Sequence, residues 1–195
     1  MKSLFIVDPQ NGFMDDGSLP VKGAQARMDA LAEYIKSLSL EEYEKIYVSL
    51  DWHPANHCSF AENRGPWPEH CVAYTTGALV TEPLMSVLMS WMKAEKVVFI
   101  TKGTETATEE YSALDNSKNA EFLKEALKDI EQLDVCGVVG TVCVQNTIIG
   151  LADKAISPEK IKILPQYIAQ FSEADEEAFL KWFEENISNV SKMTV

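Results

Sequence analysis

Short apolar segments alternate with longer amphipathic segments along the chain. The apolar segments contain four to six residues and are typical of buried strands; they are residues 4–7, 45–50, 97–100, 135–139 and 161–164. The longer segments have apolar positions at helical spacing and predict helices over residues 24–37, 82–92, 120–132 and 173–186. One more helix is predicted to run through Leu151 from an N-cap at Thr141. The segment around Val190 is a candidate for a weak edge strand.

This alternation of strands with helices predicts βαβ units, in which a mostly parallel sheet carries helices on both faces. The sequence contains no internal repeat, no low-complexity segment and no linker. We therefore predict an α/β fold in one domain, residues 1–195.

Composition and charge exclude several classes of protein. Hydrophobic residues make up 46% of the chain and charged residues 24%, which is the balance of an ordinary globular protein. A disordered, collagen-like or disulfide-rich chain would differ from this balance. Asp and Glu outnumber Lys and Arg by 30 to 17, and the net charge of −13 repels phosphate backbones. The charge therefore predicts no nucleic-acid partner.

The sequence also indicates where the protein works. No apolar stretch is long enough to span a bilayer, and the apolar run at residues 4–7 is too short for the core of a signal peptide. The four cysteines, Cys58, Cys71, Cys136 and Cys143, lack the dense spacing of a secreted disulfide framework. We expect a cytoplasmic protein with no membrane partner. The oligomeric state stays open, a homo-oligomer included.

Reactive side chains stand where the predicted strands end. Asp8, Asp51 and Lys102 follow the first three strands, and Cys143 comes shortly after the fourth. In open α/β sheets, ligands bind in the crevice outside the carboxyl ends of the strands. A single aspartate at such a position is often only a turn former. Four reactive side chains together predict one functional crevice.

Cys143 is a candidate nucleophile because it falls in the first turn of a predicted helix. Unpaired backbone N–H groups and the helix dipole favour an anion there and lower the pKa of a thiol, and a nearby Lys102 would act in the same direction. Asp8 could then take the thiol proton. The alternative is a small buried hydrophobic residue, which is the usual state of a free cysteine, and Cys136 in the fourth strand fits that description.

The histidines form a second group of candidate residues. All three lie in one eighteen-residue window directly after Asp51. Asp51 and His53 stand on the same side of an extended segment, because side chains alternate there. His70 completes a set that suits a divalent metal with open coordination positions. His57 and Glu62 are candidates for a fourth ligand or for a position around the ligands.

Aromatic residues surround the histidine window. Most aromatic side chains belong to a core, but Phe13 and Trp67 stand in loops that contain Gly and Pro beside the polar residues. We expect a flat ring substrate to stack between Phe13 and Trp67.

Five sequence motifs occur in order over essentially the whole chain. They are Asp8-Pro-Gln-Asn-Gly-Phe13, Asp51-Trp-His53-Pro-Ala-Asn-His57, Trp67-Pro-Glu-His70-Cys-Val, Lys102-Gly and Gly140-Thr-Val-Cys143-Val. With these motifs the chain resembles the nicotinamidases, also called pyrazinamidases, of the isochorismatase-like cysteine hydrolase superfamily. The Asp, Lys and Cys positions indicate only the superfamily. The Asp-Trp-His-Pro and Trp-Pro-x-His-Cys-Val motifs indicate its metal-containing nicotinamidase branch.

The resemblance implies a three-layer α/β/α sandwich around a mostly parallel six-stranded sheet. It also assigns, by motif, a catalytic triad and three metal ligands, which are Asp8, Lys102 and Cys143 and then Asp51, His53 and His70. The implied cofactor is one divalent ion, zinc or alternatively iron or manganese. His57 is a metal ligand in some members of the family and not in others.

The resemblance further implies details of the nucleophile segment. These are a non-proline cis peptide bond between Val138 and Val139 and an oxyanion hole built from the backbone N–H groups of Val139 and Cys143. Many relatives have Ala-Thr-Asp where this chain has Val139-Gly140-Thr141. An acidic residue of the usual pattern is therefore missing before the nucleophile.

The implied reaction is the hydrolysis of nicotinamide to nicotinate and ammonia through a thioester on Cys143, as part of NAD salvage. Pyrazinamide is a further implied substrate. The metal would bind the pyridine nitrogen. Two alternatives stay open, namely another amidase of the superfamily that acts on carbamoyl or ureido compounds, and a catalytically silent ligand-binding or redox-sensing domain of the same fold.

Overall fold

A computed structural model describes residues 1–188 of the protein. The described strands are β1 (Lys2–Val7), β2 (Ile46–Asp51), β3 (Val97–Lys102), β4 (Gln132–Gly137) and β5 (Ile161–Ile168). The α-helices that alternate with them are α1 (Ala24–Ser37), α2 (Glu82–Lys93), α3 (Ser117–Ala126), α4 (Gln145–Lys154) and α5 (Glu173–Phe183). The predicted alternation of strands and helices is therefore confirmed.

The strands form one parallel sheet in the order β3-β2-β1-β4-β5. Helices α1 and α2 contact each other, as do α3 and α4. Right-handed crossovers place the two pairs on opposite faces, because the chain first moves outward from β1 to β3 and then returns to β4. The expected three-layer sandwich is confirmed. Connections leave the neighbouring strands β1 and β4 in opposite directions, so their carboxyl ends form a topological switch point, where such folds bind ligands.

The sheet has five strands within residues 1–188, so the expectation of six is wrong for this part of the chain. The candidate edge strand around Val190 lies outside the described residues. Strand β5 is an edge strand and continues past the predicted end at residue 164 to Ile168. The apolar pattern stops at Pro165, but an edge strand tolerates proline because one side of it needs no ladder hydrogen bonds.

Helix α3 differs from its prediction at both ends. It begins at Ser117 rather than at residue 120, because the Asn116 side chain accepts hydrogen bonds from the first backbone N–H groups of the helix. It ends at Ala126 rather than at residue 132, where Gln132 already begins β4. Apolar residues at 127 and 130 continue the helical spacing and are buried in the connection between the two elements. The helical spacing of these buried connection residues is the reason that the sequence predicts a longer helix.

The start of helix α4 also differs from its prediction. Thr141 does not cap the helix, because it lies inside a five-residue π-helical turn, Gly140–Val144, that precedes α4. Val139 holds the cap position of this turn without a side-chain hydrogen bond. Strand β4 accordingly ends at Gly137 rather than at residue 139. At the other end of the chain, α5 ends at Phe183 and a second π-helical turn, Glu184–Ser188, follows it.

The centre of the core is strand β1. Its residues Leu4, Phe5, Ile6 and Val7 have no exposed surface, since the strand has a neighbour on each side and helices on both faces. The helices are amphipathic and turn one apolar side to this sheet. Within residues 1–188, none of them is both long enough and apolar enough to cross a membrane.

Candidate active site

Asp8 follows β1 at the switch point of the sheet. Its backbone has a φ of 49°, in the left-handed region that few non-glycine residues adopt and aspartate adopts more often than most. The carboxylate is fully buried, and its Oδ1 accepts a 2.7 Å hydrogen bond from Ser49 Oγ. Burial raises the pKa of Asp8 to about 6, although the positive charge of Lys102 opposes the shift. Asp8 is thus a buried carboxylate whose pKa lies near neutrality.

Lys102, the last residue of β3, links two groups of residues. Its Nζ donates a hydrogen bond to Asp51 Oδ1, pairs with Asp8 Oδ2 at 3.0 Å and lies 3.7 Å from Cys143 Sγ. The side chain is 1% exposed. Burial lowers the pKa of Lys102, but the charges of Asp51 and Asp8 outweigh it and raise this pKa well above its usual value. Lys102 is therefore a permanent cation between two carboxylates and a thiol.

Cys143 lies in the π-helical turn at the start of α4 and is buried. Burial, followed by the charges of Asp8 and Asp51, raises the pKa of the Cys143 thiol well above its usual value, while Lys102 opposes this shift. The expected lowering of this pKa is therefore wrong for the resting site. The thiol is protonated there and needs a base. Asp8 Oδ2 can be that base, since within residues 1–188 it is held only by its ion pair with Lys102 at 3.0 Å and keeps a lone pair for a proton.

Backbone N–H groups around Cys143 fall into two sets. One set donates to protein oxygen atoms and consists of the N–H groups of Val138, Gly140, Thr141, Val142 and Val144. In the described part of the chain, those of Val139 and Cys143 make no hydrogen bond outside the turn itself. The peptide bond between Val138 and Val139 is cis, at the position that the resemblance implies.

Asp51, His53 and His70 offer three ligand atoms to one point. Asp51 Oδ2 lies 3.5 Å from His53 Nε2 and 3.7 Å from His70 Nε2, and all three side chains are buried. The Nδ1 atoms of the histidines point away, to the carbonyl oxygens of Gly103 at 3.0 Å and of Pro68 at 2.7 Å. A carbonyl oxygen can only accept, so each Nδ1 carries the proton and each Nε2 lone pair is free for a metal.

The chemistry of this donor set fits a divalent metal ion. Two imidazoles and a carboxylate suit zinc, iron or manganese and leave coordination positions for a ligand. Lys102 balances the remaining oxygen of Asp51. The structure therefore contains a candidate metal site with an open side.

His57 is next to this site but turns no free nitrogen to it. Its Nε2 lies 3.0 Å from the carbonyl oxygen of Thr108 and must donate to it, while Nδ1 is bonded to Ser59 Oγ at 2.6 Å. The ring stacks on His53 with a centroid separation of 4.1 Å. Glu62 is exposed on a short 3-10 turn. This arrangement favours His57 as support for a ligand and places Glu62 outside the metal site.

A small cavity of about 20 Å³ opens beside both groups. Phe13 and Trp67 both line it, together with Cys143, His70 and Lys102. Its wall also includes residues that sequence reasoning missed, namely Tyr111, which accepts a hydrogen bond from Trp67 Nε1, Phe171, which stacks on Trp67, and the carboxylate-bearing Glu109. The pocket combines aromatic and aliphatic walls with a few polar groups, which is the lining typical of a small-ligand site.

Other residues missed from the sequence hold the reactive groups in place. Gln10 clamps the backbone of Asp51, since its Nε2 donates to the Asp51 carbonyl at 2.7 Å and its Oε1 accepts the Asp51 N–H at 2.8 Å. Glu110 accepts the N–H of Gly103 at 2.7 Å. Ser49, which donates to Asp8 Oδ1, is a polar residue inside the mostly apolar strand β2, and this position could have indicated a supporting role from the sequence. The positions of Gln10 and Glu110 relative to the predicted strands do not indicate such a role.

Comparisons with known proteins agree with this site. The model of the isochorismatase domain family matches residues 2–158. The nicotinamidase of Escherichia coli is 32% identical over 167 residues, which cover 76% of this chain and 75% of that protein. A crystal structure of the pyrazinamidase of Pyrococcus horikoshii in complex with zinc matches with a TM-score of 0.79 and 30% identity, over 95% of this chain and 96% of that one. For PnC1 from L. infantum in complex with nicotinate, the TM-score is 0.79 and the identity 28%, over 95% and 89%.

Proposed function

The chain belongs to the isochorismatase family, and we propose that it is a nicotinamidase, a cysteine amidase that converts nicotinamide and water to nicotinate and ammonia. The observation that carries the proposal is the position of Lys102, which lines the pocket and whose Nζ contacts Asp8, Asp51 and Cys143. A nucleophile group and a metal site that share one lysine act on one substrate. The nicotinamidase, pyrazinamidase and nicotinate-bound relatives support a pyridine amide as that substrate.

The first step is proton transfer from Cys143 to Asp8. The Oδ2 atom of Asp8 accepts the thiol proton, and the thiolate attacks the carboxamide carbon to form a C–S bond. The Asp8 pKa of about 6 leaves the carboxylate deprotonated at neutral pH and still able to return a proton. Lys102 stabilises the thiolate by its charge, 3.7 Å from the sulfur.

The second step releases ammonia. The carbonyl oxygen becomes an oxyanion, which the backbone N–H groups of Val139 and Cys143 stabilise. Collapse of this intermediate breaks the C–N bond, and Asp8 gives its proton to the leaving nitrogen. The products are ammonia and a thioester on Cys143.

The third step hydrolyses the thioester. Asp8, again a carboxylate, takes a proton from water, and the resulting hydroxide forms a C–O bond at the acyl carbon. The C–S bond then breaks, nicotinate leaves, and the proton on Asp8 returns to the Cys143 sulfur. The resting site is restored.

The pyridine ring is oriented by the pocket walls. We propose that the ring lies between Phe13 and Trp67, and that Asp51, His53 and His70 hold one divalent ion, zinc or alternatively iron or manganese. When bound, this ion supplies an electrophilic contact for the ring nitrogen. Pyrazinamide has a ring nitrogen in the same position relative to its carboxamide, so it is a second expected substrate. The product of the nicotinamide reaction, nicotinate, would serve NAD salvage.

The test is ammonia release from nicotinamide by the purified protein. We expect ammonia release to fall sharply when a chelator removes the metal from the protein. It should recover when zinc, iron or manganese is added back. The rate of alkylation of Cys143 by iodoacetamide, measured in parallel, reports how readily Asp8 removes the proton of the resting thiol, and this readout does not depend on substrate.

Two other results would redirect the proposal. Absence of release with bound metal and a fast-reacting Cys143 would retain cysteine amidase chemistry and point to another amide, such as a carbamoyl or ureido compound. Absence of release together with slow, uniform labelling of all cysteines would indicate a catalytically silent domain.

A further inference from the structure

The segment that follows β5 is attached to the turn that carries the nucleophile. Gly140 N–H donates to the carbonyl oxygen of Ala169 at 2.9 Å, and Ala169 N–H donates to the carbonyl oxygen of Gly137 at 3.1 Å. Thr141 N–H donates to the side-chain Oε1 of Gln170 at 2.9 Å. The last of these bonds depends on a side chain, so this attachment can be changed by substitution.

Gly140 and Gln170 fit each other in space. A Cβ atom on Gly140 would lie 1.6 Å from Gln170 Nε2 and 2.3 Å from Gln170 Cδ. No two non-bonded atoms tolerate such a distance, so any side chain at position 140 would push the amide of Gln170 away from Thr141. The absence of a side chain at position 140 is what allows the bond between Gln170 and Thr141.

Gln170 uses only the oxygen of its amide. The residue is 7% exposed, and within residues 1–188 its Nε2 has no hydrogen-bond partner. An unpartnered buried N–H group is unfavourable, and an apolar side chain of similar size would avoid it. The retained contact is the one from Oε1 to an N–H group two residues before Cys143. That N–H group belongs to the first turn, where no carbonyl of the helix is available to accept it.

We propose that Gln170 is a positioning residue for the nucleophile. Its Oε1 holds the Thr141 N–H and thereby keeps the π-helical turn, and with it the Cys143 sulfur, aligned with Asp8 and Lys102. Gly140 is required because the Gln170 amide occupies the place of its side chain. The effect on turnover rests on the proposed amidase function, whereas the effect on the sulfur itself does not.

Four variants test the proposal, namely Gln170→Ala, Gln170→Glu, Gly140→Ala and the double variant Gly140→Ala/Gln170→Ala. Gln166→Ala is the matched control, because Gln166 is an exposed glutamine on the preceding strand β5. The measurements are kcat and KM for nicotinamide, bound metal, melting temperature, and the alkylation rate of Cys143 relative to Cys58. The alkylation ratio and the separation of kcat from KM are readouts that a purely structural role would not move.

Gln170→Ala is expected to lower kcat roughly tenfold or more, because one misplaced hydrogen bond changes the alignment of the reacting atoms. KM and metal content should change less than about twofold, since the pocket walls and the metal ligands are untouched. The rate of Cys143 alkylation should fall together with kcat. Gln170→Glu retains an acceptor oxygen for the Thr141 N–H but adds a buried negative charge, which opposes formation of the Cys143 thiolate, so it should recover only part of the rate lost in Gln170→Ala.

Gly140→Ala is expected to match Gln170→Ala, because its methyl group displaces the same amide. In the double variant the Gln170 amide that the methyl group would displace is already absent, so the double loss should equal the single loss rather than the product of two losses. Independent, multiplying losses would overturn the pairing of the two residues.

Other outcomes would overturn the positioning role. These are a Gln170→Ala protein with normal kcat and normal Cys143 alkylation, or a loss that appears equally in Gln166→Ala. If the unaltered protein does not hydrolyse nicotinamide, the proposed function fails, and the alkylation ratios of the same variants still decide the role of Gln170.

Discussion

The candidate site joins two regions that are built in different ways. The strand-end cluster (Asp8, Lys102 and Cys143) stands at the carboxyl edge of a parallel sheet. The histidine loop (residues 52–81) runs from β2 to α2 and contains only two short 3-10 turns and isolated bridges, such as those between His53 and Val72 and between Phe60 and Trp67. A loop of this length without regular elements is unusual and typical of a functional segment.

The two regions therefore depend on different forces. The sheet register fixes the strand-end cluster, since Asp51 is paired with Lys102 across β2 and β3 and Asp8 N–H donates to the Ser49 carbonyl. The histidine loop has its own hydrogen bonds and, in the proposed function, a metal ion. Changes in the cluster should affect chemistry with little effect on the fold. Changes in the loop should affect metal binding and local order first.

The largest expected effect is that of Cys143→Ala. Without the sulfur no thioester forms, so kcat should fall at least roughly 10⁴-fold. The fold and the histidine loop should be unaffected, with unchanged metal content and a melting temperature close to that of the unaltered protein. Cys58→Ala, which removes a half-buried thiol from the loop, is the control and should keep its turnover. Substantial residual turnover in Cys143→Ala would remove the thiol from the mechanism.

Asp8→Asn should lower kcat roughly 10²- to 10⁴-fold, because an amide keeps the size of the carboxylate but cannot accept the thiol proton. It should also stabilise the protein. The folded-state pKa of Asp8 is about 6, above its ordinary value of 3.8, so ionisation costs stability as pH rises through this range. Asparagine does not ionise and avoids a cost of about 3 kcal/mol at pH 8.

The stability part of this prediction is measured by thermal unfolding of the metal-free proteins between pH 4 and pH 8. At pH 4 Asp8 is protonated in the folded protein and about half protonated in the unfolded protein, so the two melting temperatures should be nearly equal there. The melting temperature of Asp8→Asn should exceed that of the unaltered protein increasingly as pH rises through 6. A variant that is less stable at pH 8 than the unaltered protein would show that Asp8 supports the fold, and would contradict the expectation that the strand-end cluster affects mainly chemistry.

Much of this site could be predicted because its residues stand at positions that the sheet dictates. Asp8, Asp51 and Lys102 follow apolar runs, and parallel strands bring their carboxyl ends to one edge. Helix α1 was predicted with the bounds that the structure has, because its apolar positions repeat at helical spacing from Ala24 to Ser37. Local pattern and position along a strand are properties of the sequence alone.

What could not be predicted depends on contacts between distant segments. The raised pKa of the Cys143 thiol follows from burial, which exists only after packing, whereas the helix position alone indicated the opposite direction. The proton position on His57 follows from the Thr108 carbonyl, 51 residues away. The Gln170 contact with Thr141 joins residues that are 29 positions apart. No local pattern indicates such pairs.

A smaller effect on rate, and a larger one on the histidine loop, is expected from His53→Ala. Loss of one of three ligands should weaken metal binding at least roughly 100-fold. The measurement is a metal titration of the protein after a chelator has removed its metal. Hydrogen exchange should accelerate in residues 52–81 while the amides of β1 and β4 keep their protection. Unchanged metal content would remove His53 from the ligand set. Faster exchange throughout the sheet would show that the two regions are not separable.

The smallest expected effect is that of His57→Ala, the matched change on the ring that stacks against His53. Its two nitrogens are bonded to the buried Ser59 hydroxyl and to the carbonyl of the exposed Thr108, so the substitution leaves one buried group unpaired and should cost about 1–3 kcal/mol of stability. Metal affinity should fall only roughly tenfold, the usual effect of losing a residue that supports a ligand.

His57→Phe separates support from coordination. Phenylalanine keeps a ring against His53 but offers no nitrogen, so metal affinity should be closer to that of the unaltered protein than it is in His57→Ala. Loss of metal in His57→Phe as complete as in His53→Ala would make His57 a fourth ligand. The histidine loop would then have to rearrange on binding metal, because in the present arrangement the Nε2 proton of His57 is committed to the Thr108 carbonyl.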